Sequence, residues 1–160
     1  DFAFYGCCDL ASVKIPNSVT RIGELAFCYC TGLTSVTIPG SVKTIDVNAF
    51  YNSGLESITI PNSVTNIRRG AFAYCFNLAN IAISDSVINI GEHAFQNCSV
   101  LKSIKIKEGV ESIQESAFEK CIELASIILP SSIKKLGKTV FKGCENLKYI
   151  ERIMRKYSLA

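Results

Sequence analysis

Residues 26–45 read Ala-Phe-Cys-Tyr-Cys-Thr-Gly-Leu-Thr-Ser-Val-Thr-Ile-Pro-Gly-Ser-Val-Lys-Thr-Ile. The same apolar skeleton recurs along the whole 160-residue chain. Phe stands at 4, 27, 50, 72, 95, 118 and 141, in steps of 23 with a single step of 22. Ala or Val precedes each Phe. Leu follows at 10, 33, 55, 78, 101, 124 and 147. A β-branched column comes next (Val13, Val36, Ile58, Ile81, Ile104, Ile127, Ile150), then Ile15 to Leu129, Val19 to Ile133 and Ile22 to Leu136 on the same beat. A fixed period in this range is the signature of a repeat architecture.

Within one unit, Leu33, Val36 and Ile38 end in a period-2 alternation that suits a short strand with its apolar side inward. Pro follows at 16, 39, 61 and 130 and ends the strand, because it lacks an N–H and fixes φ. Ala26, Phe27, Cys30 and Leu33 share a helical face, which predicts a short helix or single turn opposite the strand. One unit cannot bury its own apolar side. Stacked units can, with each Phe, Leu and Ile on its counterpart. The expectation is a single α/β solenoid domain over 1–160, with repeats over 1–150. It has about seven 23-residue coils and parallel in-register strands about 4.7–4.9 Å apart. At the end, Leu147, Ile150, Met154 and Tyr157 form a helical stripe, predicting a C-terminal capping helix over about 146–158.

The opening strand Leu33-x-x-Val36-x-Ile38 resembles that of a leucine-rich repeat. The whole unit, from Ala26-Phe27-x-x-Cys30 through Ile38-Pro39-x-Ser41-Val42-x-x-Ile45, resembles the BspA-like class of those repeats. It departs from ordinary leucine-rich repeats in lacking a consistent Asn after the strand; Ser18, Ser41, Ser63, Ser86 and Ser132 stand near there instead. The resemblance implies a right-handed solenoid. It also implies a surface protein of the kind found on mucosal bacteria and parasitic protists, where such proteins are linked to adhesion to host matrix.

Composition limits the chemistry. The chain is 48% hydrophobic with one His, one Met, no Trp and eight Cys. A single His makes His-based catalysis and most catalytic zinc sites hard to build. His93 lies in a variable column and reads as an exposed bystander. No phosphate loop, nucleophile elbow or recurring carboxylate pair is present, so the chain reads as non-enzymatic, with no cofactor and no metal. There is no apolar run of about 18 residues, hence no membrane insertion. The net charge is +3, and residues 134–160 hold eight bases against two acids. This basic end reads as a solvated face, with an anionic partner as the alternative.

Six Cys (7, 30, 75, 98, 121 and 144) lie three residues after a Phe. They read as a column of small buried thiols. Disulfides or a metal site are the alternatives; in-register Cβ vectors that point the same way oppose the first, and the absence of a C-x-x-C pair opposes the second. The unit from Phe50 to Leu55 drops one residue and its Cys. Cys8 and Cys28 fall in variable columns, which predicts surface positions and makes them candidate reactive thiols. Asn97-Cys98-Ser99 is a chance sequon.

Columns that vary are free for recognition. Lys14 and Lys105 stand in the outward strand column, which is small, polar and mildly basic. No aromatics interleave with the Lys, which argues against nucleic acid. Aromatic anchors cluster instead near the Phe-x-x-Cys segment, at Tyr5, Tyr29, Tyr51, Tyr74 and Phe76. Tyr29 and Tyr74 share a column and are the candidate contact strip. The function expected is a non-catalytic protein-binding module. The resemblance makes it an adhesin fragment, at the cell surface or secreted, for a host or matrix protein. The alternative is a cytoplasmic scaffold, which unpaired thiols favour. Further repeats or self-association at the open N-terminal end are also expected.

Overall fold

The computed structural model describes residues 1–148. It contains ten short strands and, among the described residues, no helix. β1 (Arg21–Ile22), β2 (Thr44–Ile45), β4 (Asn66–Ile67), β6 (Asn89–Ile90), β8 (Ser112–Ile113) and β10 (Lys135–Leu136) form one six-stranded parallel sheet, in that order. Its register joins equivalent residues of successive coils, as in Ile22↔Ile45 and Ile67↔Ile90. From β1 to β10 the sheet makes five turns of the solenoid.

The strand foreseen at Val36 to Ile38 forms a second column. β3 (Ser57–Thr59) pairs with β5 (Asn80–Ala82), and β7 (Ser103–Lys105) pairs with β9 (Ser126–Ile128). Lys14 and Thr37 extend the column as an isolated bridge. The larger sheet therefore grows from the Val-x-x-Ile segment. There the side chains also ladder: Asn89 Nδ2 donates to Asn66 Oδ1 at 2.9 Å, and Ser112 Oγ donates to Asn89 Oδ1 at 2.7 Å. Such ladders stabilise flat stacks of strands.

The expected α/β class and its helical turns give way to an all-strand solenoid. The cause lies in the Phe segment. Its backbone takes positive φ twice per coil, at Leu25 and Tyr29, Asn48 and Asn52, His93 and Asn97, Ser116 and Lys120. An α-helix of L-residues cannot continue through such positions. Alternate N–H groups instead serve different purposes. Leu25, Phe27 and Tyr29 donate to Val47, Ala49 and Tyr51 of the next coil at 3.1, 2.7 and 2.9 Å. Ala26, Cys28 and Cys30 close local turns onto Gly23, Leu25 and Phe27. The expected capping helix over about 146–158 falls mostly in residues 149–160, outside the described residues; residues 146–148 are not helical.

The core is the set of ladders. Phe50, Phe72, Phe95 and Phe118 are fully buried, and successive rings from Phe4 to Phe118 stack 5.1–5.4 Å apart. The Cys column has a defined task. Cys30, Cys75, Cys98, Cys121 and Cys144 each donate Sγ–H to the Phe carbonyl of the preceding coil, at 3.0–3.3 Å. All eight thiols are free. In the shortened unit, Ser53 occupies the Cys position, is buried, and lies 3.3 Å from Cys75 Sγ. The missing residue is thus taken from the loop behind it, and the polar ladder continues through an oxygen.

One ionic cluster ties the early coils together. Asp46 is buried, and its carboxylate accepts from Arg21 Nε at 2.7 Å, from the Val47 N–H at 2.9 Å, and lies 3.5 Å from Arg68. Burial by itself would raise this carboxyl. The Val47 N–H and the two guanidinium groups outweigh it and hold the carboxyl below its usual range.

Candidate functional site

The Phe-x-x-Cys segment carries its neighbouring residues at the surface in register from coil to coil. The position after the Phe holds Tyr5 and Tyr51; the next holds Tyr29 and Tyr74. These two columns interleave into one ladder. Ring centroids lie 5.8 Å apart for Tyr5–Tyr29, 5.7 Å for Tyr29–Tyr51 and 5.1 Å for Tyr51–Tyr74. Phe2 extends the ladder beyond Tyr5 at 5.9 Å, and Phe76 beyond Tyr74 at 5.8 Å. Six rings thus form a continuous strip across four coils. Phe2 is 55% exposed, Tyr29 38% and Phe76 46%.

Most neighbouring rings meet at steep angles, 88° at Tyr5–Tyr29, 72° at Tyr29–Tyr51 and 83° at Tyr74–Phe76, so the strip is ridged. None of the four phenol hydroxyls hydrogen-bonds within the described residues. Burial, followed by the neighbouring Tyr74 and Tyr29, raises the Tyr51 phenol above its ordinary value, so it stays a protonated donor. The two columns carry no charged residue until Glu119 and Lys120.

The sequence pointed to Tyr29 and Tyr74, and both lie in the strip. They do not touch each other; Tyr51, on the coil between them, joins them. Phe2 completes the other end. The signal for Tyr51 was present in the near-regular steps of Tyr5, Tyr29, Tyr51 and Tyr74, which alternate between adjacent columns. Lys14 and Lys105 are exposed on the separate strand column, four coils and roughly 20 Å apart. They do not form one patch. A shallow depression lined by Ser35, Thr37, Ser57 and Thr59 holds no titratable side chain; a second, on the coils that follow, is lined by Ser57, Asn80, Ser103 and Lys105.

Cys8 is exposed, with Sγ 3.5 Å from the Tyr29 carbonyl at the foot of the strip. Cys28 corrects the expectation of a surface thiol: it is 1% exposed. Burial, then Cys30, pushes its thiol up to about 11, which suppresses the thiolate. Its column reaches the surface at Tyr5, which is exposed, but the small Cys28 side chain is buried. Cys7, expected in the buried ladder, is exposed. His93 is half-buried rather than freely exposed. Its Nδ1 is buried without a partner among the described residues. Among the described residues, no three His, Cys, Asp or Glu side chains gather to hold a metal ion. No helix among them is long and apolar enough to cross a membrane. At the N-terminal end the core opens into a hollow of about 240 Å³ lined by Phe4, Val13, Ile22 and Phe27.

Stacked 23-residue coils, in-register parallel strands and a shared Phe-Leu-Ile core define a leucine-rich-repeat solenoid. Six copies of the BspA type leucine rich repeat region match over residues 1–85 and 65–153. The chain belongs to that family. A leucine-rich repeat protein of T. pallidum is 33% identical over 99% of this chain and 75% of that one, with a TM-score of 0.89. One from Bacteroides ovatus is 34% identical over 88% of this chain, with a TM-score of 0.67. One from Eubacterium ventriosum, 22% identical with a TM-score of 0.70 over 87% of this chain, shares the fold. The chain spans 44% of the length of each of the last two. None of the three is named as an enzyme. Among curated proteins, none matches.

Proposed function

We propose that the chain is a non-catalytic protein-binding module whose contact surface is the aromatic strip from Phe2 to Phe76. It serves as part of an adhesin, at the cell surface or secreted, that holds a host or matrix protein. The observation that carries this reading is the strip itself. Monomeric proteins seldom leave a contiguous run of large rings in water, and Tyr is among the residues that dominate binding energy at interfaces. The family resemblance supports the adhesin assignment. The test is capture of this chain on immobilised matrix proteins, comparing wild type with Tyr29→Ala/Tyr74→Ala. Binding should fall at least about 10-fold in the double variant. Capture unchanged by the double substitution would remove the strip from the account.

A second reading, an intracellular scaffold of the same fold, is favoured by the eight free thiols, two of them exposed. Protease accessibility of the full-length protein on intact cells separates the two. Degradation without lysis supports the adhesin; protection until lysis supports the scaffold.

A further inference from the structure

We infer that the aromatic strip binds an uncharged, proline-rich segment in the polyproline II conformation. This rests on the strip being the protein-contact surface and specifies what it recognises.

Three features lead there. The first is spacing. Tyr5 and Tyr51 share one column, and Tyr29 and Tyr74 the next, so each column presents a ring every second coil. Equivalent Phe rings of this segment lie 5.1–5.3 Å apart from coil to coil, so two coil rises amount to about 10.4 Å. One turn of polyproline II, three residues at about 3.1 Å, amounts to about 9.3 Å. The two rings of each column therefore match one turn of such a helix to within about 1 Å. The second is shape. Successive rings are never parallel: the interplanar angles are 88° at Tyr5–Tyr29, 72° at Tyr29–Tyr51 and 42° at Tyr51–Tyr74. That leaves clefts between ridges, into which pyrrolidine rings fit. A row of stacked nucleobases would instead need successive platforms that present their faces.

The third feature is polarity. Polyproline II makes no internal hydrogen bonds, so its carbonyls are free to accept. The phenol hydroxyls of Tyr5, Tyr29, Tyr51 and Tyr74 have no partner among the described residues and are free to donate. No Lys, Arg, Asp or Glu occurs in either column before Glu119 and Lys120. An anionic or cationic ligand would find no counter-charge within the strip, whereas an uncharged one leaves none unpaired. The ligand also brings a preformed conformation, so little ordering entropy opposes docking on a surface this narrow.

The test is titration of this chain with deca-proline and, separately, with a Gly/Ser decapeptide of equal length, followed by tyrosine fluorescence. The chain has no Trp, so the tyrosines report directly. Saturable binding of deca-proline alone is expected. It should weaken at least about 10-fold in Tyr29→Ala/Tyr74→Ala. Tyr29→Phe/Tyr74→Phe, which keeps the rings, should weaken it by a smaller factor; urea midpoints of all variants certify the fold. Equal binding of both peptides overturns the inference, as does deca-proline binding that survives the Ala double variant. If deca-proline does not bind but the double variant still loses matrix-protein capture, this inference fails while the strip remains the contact surface. If neither ligand responds to the double variant, both fail.

Discussion

Replacing Phe95 by Ala tests the stacked core directly. The ring is fully buried and stacks on Phe72 at 5.4 Å and on Phe118 at 5.2 Å, nearly parallel to both. Phe-to-Ala changes in cores cost about 3–5 kcal/mol, and the spread reflects how far the site can collapse. Here collapse is blocked on both sides. The Phe95 N–H is bonded to the Ala117 carbonyl at 2.8 Å, and the Phe72 N–H to the Ala94 carbonyl at 2.8 Å. Cys121 Sγ holds the Phe95 carbonyl at 3.2 Å. The coils cannot close the gap without breaking this ladder, so the cost belongs at the upper end, about 4–5 kcal/mol. Phe141→Ala is the control. That ring lies 6.1 Å from Phe118 and has no second stacked partner among the described residues. Its loss should cost nearer about 3 kcal/mol. Urea unfolding followed by far-UV circular dichroism, read with an unchanged slope, gives both numbers. Equal costs for the two variants, or less than about 2 kcal/mol for Phe95→Ala, would refute a core held by rigid, mutually supporting rings.

The ionic cluster predicts a pH signature. The Asp46 carboxyl is depressed in the folded chain, so its contribution is complete above the ordinary carboxylate range and fades as pH falls through the folded value. Asp46→Ala should cost about 1–2 kcal/mol at neutral pH, with the gap closing in acid; a pH-independent gap in urea midpoints would refute it. Thiol titration should find two fast-reacting groups in the native chain, Cys7 and Cys8, and eight in denaturant. A third fast thiol would place Cys28 outside the core. Gly91→Ala puts a Cβ 2.7 Å from the Arg69 nitrogen of the preceding coil. A cost of about 1–3 kcal/mol in thermal or urea unfolding is expected, and a neutral result would show that the coils separate easily.

The solenoid was legible because each buried residue repeats a choice made 23 residues earlier. Phe27 predicts Phe50, and no long-range inference is needed. What stayed hidden was the backbone of the Phe segment. Ala26, Phe27, Cys30 and Leu33 do recur at helical spacing, and periodicity alone cannot distinguish a helix from a turn that alternates right- and left-handed residues. The distinguishing residues are Leu25, Asn48 and His93 in one column and Tyr29, Asn52 and Asn97 in the other. Only the Asn positions advertise positive φ. Cys28 was misplaced for a related reason. Its column varies in sequence and is exposed at Tyr5, yet the smaller Cys28 side chain is buried. The strip itself was half legible. Tyr29 and Tyr74 share a column, but their connection through Tyr51 depends on how adjacent columns lean together.

The backbone at Tyr29 and Tyr74 carries a final consequence. Both residues hold φ near +60°, where an L-residue is strained by about 1–2 kcal/mol. In the same column Gly6 and Gly143 adopt positive φ without strain. The fold therefore accepts Gly there, and the strain belongs to the turn of every coil, since Leu25 and Lys120 carry it as well. Tyr29→Gly separates the ring's structural role from its binding role. It relieves the strain, loses about 0.5–1 kcal/mol to chain entropy and gives up ring contacts of about 0.5–1.5 kcal/mol each with Tyr5 and Tyr51. The opposing terms leave a net loss of about 1 kcal/mol, within a range from a slight gain to a loss of about 3 kcal/mol. Ligand capture should nevertheless fall. A loss of more than about 3 kcal/mol of stability would show that the Tyr ladder is itself a structural spine. The strained tyrosines would then belong to the core's account, and the free surface would have to be sought on another column.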